Sequence, residues 1–583
     1  VIWGDGYDLA AGAARMPANF LNWISFDRFT FRLFLSVFAI CFVIYLPSLN
    51  GPFILDDAHT VQTNISIQNP KNFFALWTSS KYYSSSPDNW GYRPVQAAFN
   101  LIAWQMGNGA TWPFHLLKIL FFAGTVTFFS LSWRRILPDY STVVILLGTL
   151  WYAVNPVHTQ VVSYIAATST LIAGFCISFA MYQYLRFRVS GDWWRLFLSA
   201  AILFPAMLSK EEAVTSVALI PLLEGFLRWR EKRLRIELRD IVILLPYVVS
   251  VGLGLLLWIY MQEPSGSLSR GTFDRWLYLA TQFSAWLRYM AIFFVPYDLN
   301  ADNLEFGFAM SWTEVRVWLS LIVNMLLLAT SLFFVKRMPL LLFALIWFYI
   351  AVSPASSIMV LAEPVNDHRA FIAYLGYGAL VFPIVHYLLQ FGRKGLIVTA
   401  ALLVGYSGFA MARNHTWSSN DLLWEDTIVK NPGSVRAHNN AALNYMHRAE
   451  WKRSAELLDR CLEIEPRYAY CLINRALVGI SRGEEQLAES LFIRAIEADF
   501  AGVNARRYFA EYLISRGRLS EALPHLLAAD KAVSGRSLTV RVLLVRVYVN
   551  IGQKADAQRI YDESLATFGP QPSLTALAAS VKQ

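Results

Sequence analysis

Charge is scarce in this sequence. Only 16% of its 583 residues are Asp, Glu, Lys or Arg, whereas 56% are hydrophobic and mean hydropathy is +0.40. That balance excludes an ordinary soluble globular protein and fits a membrane protein. Cysteine is scarce too, with four residues: Cys41 and Cys176 in apolar segments, Cys461 and Cys471 in the tail. No CxxC and no His-rich zinc spacing occurs, so no disulfide framework and no cysteine metal site is expected. Cys461 and Cys471 would pair only if the tail faces an oxidising space. Acidic residues fall short of basic ones, 41 against 50. In a membrane chain that excess reads first as cytoplasmic Lys/Arg anchoring, not as a nucleic-acid partner. No cleaved signal is expected from residues 1–28; residues 1–29 are expected as a cytoplasmic segment, because the apolar run after them is long enough to stay as a span.

Long apolar runs are plentiful. Eleven candidate spans lie at about 30–49, 114–133, 141–155, 167–185, 193–209, 212–229, 240–261, 313–335, 339–358, 370–390 and 395–412. Charge tests the count. Arg134 and Arg135 follow the second span, Arg186 and Arg188 the fourth, Arg228 to Arg235 the sixth, Lys336 and Arg337 the eighth, Arg393 and Lys394 the tenth. Every even-numbered exit is basic and therefore cytoplasmic. The odd exits share the other face and carry Asp56/Asp57, Asn155-Pro-Val-His158, Ser209-Lys-Glu-Glu212 and Glu363 to Arg369. Two outer loops are long, 50–113 and 262–312. Each holds an apolar run, Val95 to Met106 and Trp276 to Phe294, expected as a helix lying at the interface.

Past a membrane domain of 30–413 and a linker of 414–434, the composition turns polar and a repeat begins. Gly483, Gly517 and Gly552 stand 34 and 35 residues apart, each followed five residues later by alanine: Ala488, Ala522 and Ala557. A weaker copy places Ala449 and Ser454 at the same two positions. This is the tetratricopeptide period, so residues 435–583 are expected to stack as helix pairs in an α-solenoid. Such a groove takes a protein acceptor or partner; the plain alternative is a structural cap.

The chemistry gathers on the outer face. Asp56 and Asp57 stand where the chain leaves the first span, a costly place for carboxylates without a task. One of them suits a general base, its pKa raised by partial desolvation. His59 is placed to hydrogen-bond either. Lys210, Arg93, His368 and Arg369 are cations suited to a lipid phosphate, Arg369 best through its planar fork. Lys210 has the plainer option of pairing with Glu211. Asp298 and Asp302 either orient an acceptor or hold a divalent ion. The combination suits transfer from a lipid-phosphate donor to a hydroxyl.

Phe53-Ile-Leu-Asp-Asp57 with Asn64, Tyr92-Arg-Pro94, Trp112-Pro-Phe-His115, Asn155-Pro-Val-His-Thr159, Leu208-Ser-Lys-Glu211, Ser353-Pro-Ala-Ser-Ser357, Asn366-Asp-His-Arg369 and Arg413-Asn-His-Thr-Trp417 occur in this order. As an ordered set they resemble the transmembrane and tetratricopeptide-repeat O-mannosyltransferase-like family and its bacterial relatives, whose fold is the C-type glycosyltransferase (GT-C) bundle. The resemblance implies an all-α polytopic GT-C membrane domain of about eleven spans. It also implies an inverting glycosyltransferase using a polyprenyl-phosphate-linked sugar. Asp56 or Asp57 would be the base, and Lys210, His368 and Arg369 would lie near the donor phosphate. With Arg93 added to that phosphate set, His59, Glu211 and Asp302 would orient the substrates. No cofactor is implied with certainty, and a divalent cation stays open. Asn-Asp-His-Arg stands where animal members have Ala-Glu-Arg, and Asn155-Pro156 replaces His-Pro, so mannose is not carried over. The expectation is a bacterial inner-membrane protein with its active face and repeats periplasmic. The alternative from another class is an inactive transferase-like scaffold whose repeats recruit periplasmic proteins.

Overall fold

The computed structural model describes residues 28–85, 91–233, 235, 237–262, 274–303, 306–361, 363–498, 503–569 and 571–582. The expected N-terminal segment, save Arg28 and Phe29, and the tip of the second long outer loop lie outside those residues. Among the described residues the fold is all helical. A polytopic apolar bundle is followed by a tetratricopeptide solenoid.

Each of the eleven expected spans is helical, but not all are long. Among the described residues eight helices have the length and composition to cross a membrane: Arg28–Ser48, Trp112–Ile136, Ile165–Ser190, Leu238–Met261, Val315–Phe333, Pro339–Ser357, Asp367–Leu389 and Arg393–Thr416. The other three are shorter for local reasons. Thr142–Ala153 stops where Asn155 and Pro156 begin a 3-10 turn, since Pro offers no backbone N–H. The 193–209 run breaks at Ile202 into Trp193–Ala201 and Leu203–Ser209. Ser216–Arg230 starts late, after a 3-10 turn at Glu211–Thr215.

Trp112–Ile136 and Ile165–Ser190 form the buried centre, while Leu238–Met261, Val315–Phe333 and Arg393–Thr416 keep most of their apolar surface outward. Apolar side chains turned away from a packed core suit lipid, not water. Close packing fixes the start of the 371–389 segment. A methyl at Gly174 would stand 2.4 Å from the Phe371 ring, so only glycine lets that segment sit against the central helix.

Both outer-loop runs are helices, Pro94–Gly107 and Arg275–Phe294. The second does not lie loose on a surface. It buries Tyr278, Phe283, Tyr289 and Phe293, and the arginine that interrupts its apolar run, Arg288, is held in a buried ion pair.

The solenoid has four helix pairs: Val435–His447 with Trp451–Ile464, Ala469–Ser481 with Glu485–Ala498, Val503–Ser515 with Leu519–Ala532, and Leu538–Asn550 with Lys554–Phe568. The repeat positions explain themselves. Gly483, Gly517 and Gly552 have φ of +76°, +74° and +80°, the left-handed turn between the helices of a pair. Ala449 is forced to φ +59° at the equivalent place, a strain of about 1 kcal/mol. The small residues that follow, Ser454, Ala488, Ala522 and Ala557, are wholly buried where the paired helices meet. Cys461 and Cys471 form a disulfide between the first pair and the second, the pairing expected only of an oxidising space. Between bundle and solenoid the expected linker holds a helix of its own, Asn420–Lys430, capped by Ser419.

Candidate functional site

The loop after the first helix is bent by Leu55, whose φ is +53°. A branched residue in that conformation costs about 1–2 kcal/mol and is held only by its surroundings. The bend sends the two aspartates opposite ways. Asp57 points inward and is buried; its Oδ2 accepts from the Ile54 N–H at 3.0 Å and its Oδ1 from the Ala166 N–H at 2.7 Å. It pins the loop to the bundle. Burial pushes its carboxyl up, against those two N–H bonds and the nearby Lys118 cation.

Asp56 points outward. Its side chain is 66% exposed, yet protein groups surround it. Its own N–H donates to the Tyr164 hydroxyl at 3.2 Å. The expectation of a raised base pKa is corrected here. Desolvation does push the Asp56 carboxyl up, but the hydrogen bond and charge of His59 and the charge of Arg436 outweigh it, and the group sits below its usual range. His59 Nε2 stands 3.4 Å from Asp56 Oδ1, and its Nδ1 is 3.0 Å from Ser84 Oγ. In His59→Ala that support is lost, so Asp56 should keep its proton to higher pH. The acidic limb of a rate–pH profile should move up, and an unmoved limb contradicts the pairing.

Tyr164 ties Asp56 to the cations. Its ring stacks on Trp417 at 5.7 Å and meets the His368 ring edge-on at 6.4 Å. Around His368 stand Lys210, Arg369, Lys118 and Arg93, all within electrostatic reach. His368 is held by its backbone N–H, which donates to Gln160 Oε1 at 2.9 Å, and its buried Nδ1 has no partner. The residue before it, Asp367, is an anchor: it accepts from Arg288 Nη1 at 2.6 Å and from the Asn300 N–H at 3.3 Å.

The cations differ in how free they are. Arg93 is forked onto Glu211, with Nη2–Oε1 at 2.7 Å and Nε–Oε2 at 3.2 Å, and it also donates to the Tyr83 hydroxyl. Desolvation favours a neutral Glu211, but Arg93 and then Lys210 overrule it and hold the carboxyl at about 2. Glu211 thus serves Arg93 more closely than substrate. Lys210 Nζ lies 3.5 Å from Glu212 and 4.0 Å from Glu211. Arg369 donates to the Glu363 carbonyl at 2.6 Å and has the Glu363 carboxylate 3.8 Å away, which leaves guanidinium N–H groups for a ligand. A crevice of about 10 Å³ beside it, room for a single water, is lined by Glu212, Gln282, Tyr289, Ser356 and Arg369. Glu212 Oε2, buried, has no partner there.

Asp302 is placed elsewhere than expected. Its Oδ2 receives the Ser434 hydroxyl at 2.6 Å, and Arg436 stands 3.9 Å away, so it docks the solenoid onto the outer loop. Among the described residues no group of three or more His, Cys, Asp or Glu side chains is disposed to hold a metal. Asp302 itself is engaged by Ser434 and Arg436.

Sequence reasoning missed Lys118, which is wholly buried in the helix Trp112–Ile136 and donates to the Tyr164 carbonyl. The signal was there: a lone lysine inside an apolar span is a functional candidate by default. Glu363 and Arg436 had no such signal.

Fold and site define a polytopic, all-helical membrane protein with a tetratricopeptide solenoid docked beside a charged, cation-lined site. No family model matches the chain. It is 26% identical over 186 residues to Protein O-mannosyl-transferase Tmtc1 of Drosophila melanogaster, covering 31% of this chain and 21% of that protein. It is 27% identical over 198 residues to Tmtc2 of the same organism, covering 32% and 21%, and 25% identical over 205 residues to TMTC2 of Mus musculus, covering 33% and 24%. The aligned part thus spans under a quarter of the length of these relatives. They are of the family that the ordered motifs resemble. Among solved structures, YrrB, described as a TPR protein with an unusual peptide-binding site, aligns at 15% identity and a TM-score of 0.23, over 33% of this chain and 97% of its own.

Proposed function

We propose that this chain is an inverting glycosyltransferase of the GT-C type that moves a sugar from a polyprenyl-phosphate donor to a protein hydroxyl. The observation that carries this reading is an accessible carboxylate, Asp56, linked through Tyr164 to His368 and the four cations around it. In the reaction Asp56 takes the proton of the acceptor hydroxyl. The freed oxygen pair attacks the anomeric carbon as its bond to the phosphate oxygen breaks. The polyprenyl phosphate leaves with the electron pair of the broken carbon–oxygen bond, and Lys210 and Arg369 hold the added charge. A low pKa makes Asp56 a weaker base but keeps it ionised throughout the neutral range. Arg93, by taking up Glu211, keeps that carboxylate from neutralising Lys210 at close range.

An apolar groove of about 460 Å³, lined by Leu287, Met290, Phe294, Leu345 and Tyr377, suits an isoprenoid chain. The disulfide supports placing the solenoid, and with it the active face, in the oxidising periplasm of a bacterial inner membrane. The named activity of the O-mannosyl-transferase relatives supports a transferase; the sugar is left open.

The test is turnover in proteoliposomes. Wild-type protein given a polyprenyl-phosphate sugar and a Ser/Thr-rich peptide should release polyprenyl phosphate in step with peptide glycosylation. Release without glycosylation, or neither, rejects the reading.

A further inference from the structure

Arg436 is in the wrong place for its own helix. Ser434 caps Val435–His447, accepting from the Ala437 N–H at 3.0 Å, so Arg436 sits in the first turn. A cation there opposes the helix dipole. The sequence tolerates this because the side chain leaves the solenoid and reaches the bundle. Arg436 Nη1 donates to Glu363 Oε1. The other oxygen of Glu363 accepts from Asn366 Nδ2 at 2.8 Å and faces Arg369 Nη2 at 3.8 Å. Glu363 is therefore shared. One oxygen belongs to the solenoid, the other to the loop that carries His368 and Arg369. Desolvation works to protonate Glu363, and the charges of Arg436 and Arg369 outweigh it, so it stays ionised between them.

We infer that Arg436 is a positioning residue of the transfer site, so that the first solenoid helix is a working part of that site and not a separate module. This rests on the function proposed above. Without Arg436, Glu363 would turn both oxygens to Arg369 and close its fork, which is then lost to a phosphate. Three contacts hold the helix where Arg436 can do this: Ser434 on Asp302 at 2.6 Å, Asn431 on the Asp302 carbonyl at 3.3 Å, and Lys430 on the Leu299 carbonyl at 3.0 Å. Arg436 also faces Asp56 from the solenoid side. The other groups facing that carboxylate are His59 and Asp57 from its own loop, Tyr83 from the outer loop and Tyr164 from the bundle. An acceptor held along the solenoid would then press on the helix that sets both the base and the phosphate cation.

The experiment uses the full chain in detergent, with sugar-free polyprenyl phosphate as the probe. Protection against thermal unfolding gives apparent affinity, and a rate–pH profile gives the acidic limb. Arg436→Ala should lose about tenfold or more in apparent affinity, the scale of one charged contact, and its acidic limb should move to higher pH. Arg436→Lys restores the charge and should bring the limb back. Glu363→Gln gives a second route should Arg436→Ala not fold: it should shift affinity without touching Arg436. Wild-type affinity and an unmoved limb in Arg436→Ala overturn the inference alone, provided Arg369→Ala abolishes protection. If polyprenyl phosphate does not protect the wild type at all, the proposed function falls and takes this inference with it.

Discussion

Asp56→Asn should lower transfer by about 10²–10⁴, the usual worth of a general base, while its unfolding transition stays at the wild-type position. The side chain is exposed and its amide isostere keeps the contact with His59, so the stability that its charge draws from His59 and Arg436 is screened by solvent and its loss costs little. Asp57→Asn should behave the other way. Its two oxygens each receive a backbone N–H. An Asn amide accepts at one of those places and presents N–H₂ to the other. One buried N–H is left facing a donor, at about 1–3 kcal/mol. Stability should fall, and transfer should fall only as far as the loop loosens. Denaturation curves and turnover on both variants separate the two roles. If Asp57→Asn abolishes turnover at full stability while Asp56→Asn is silent, the roles are reversed.

The second large effect concerns the ion pair beneath the His368–Arg369 loop. Arg288 and Asp367 are both buried, with Nη1–Oδ1 at 2.6 Å. Asp367→Ala leaves Arg288 charged without its ion-pair partner, held only by the Asp298 carbonyl and Asn303 Oδ1, and also strips the Asn300 N–H of its acceptor. The expected loss is about 3–5 kcal/mol, because the uncompensated charge, not the missing attraction, sets the cost. The paired change Arg288→Met with Asp367→Leu should be far milder than Asp367→Ala. Chemical denaturation of the three proteins checks this. Equal losses in single and double variants would mean that the pair contributes no such coupling.

Much of the architecture was legible because it is written in local patterns. The glycine period reads out as left-handed turns at Gly483, Gly517 and Gly552, and the alanines five residues on as buried helix contacts. Apolar length and basic exits marked the helices. What stayed hidden is whatever depends on distant residues meeting. Nothing near Asp56 in the chain shows that Leu55 turns it outward while Asp57 turns in. The depressed pKa of Asp56 draws on Arg436, 380 positions away by their numbers. Arg436 reads as an ordinary surface cation until Glu363 is placed against it. Asp302 looked like a ligand because its partner, Ser434, lies in another domain. Lys118 is the exception: a charge amid apolar neighbours was visible, and its burial beside Asp57 gives that signal its meaning.

The claim that holds the rest together is that Asp56 activates a protein hydroxyl toward a lipid-linked sugar. Intact-mass analysis of exported and surface proteins tests it most directly, comparing cells that carry the wild-type chain with cells that carry Asp56→Asn at equal abundance. A repeated sugar-sized increment on the same proteins in the first cells, absent from the second, is the predicted result. The same increments in both, or none in either, would contradict it.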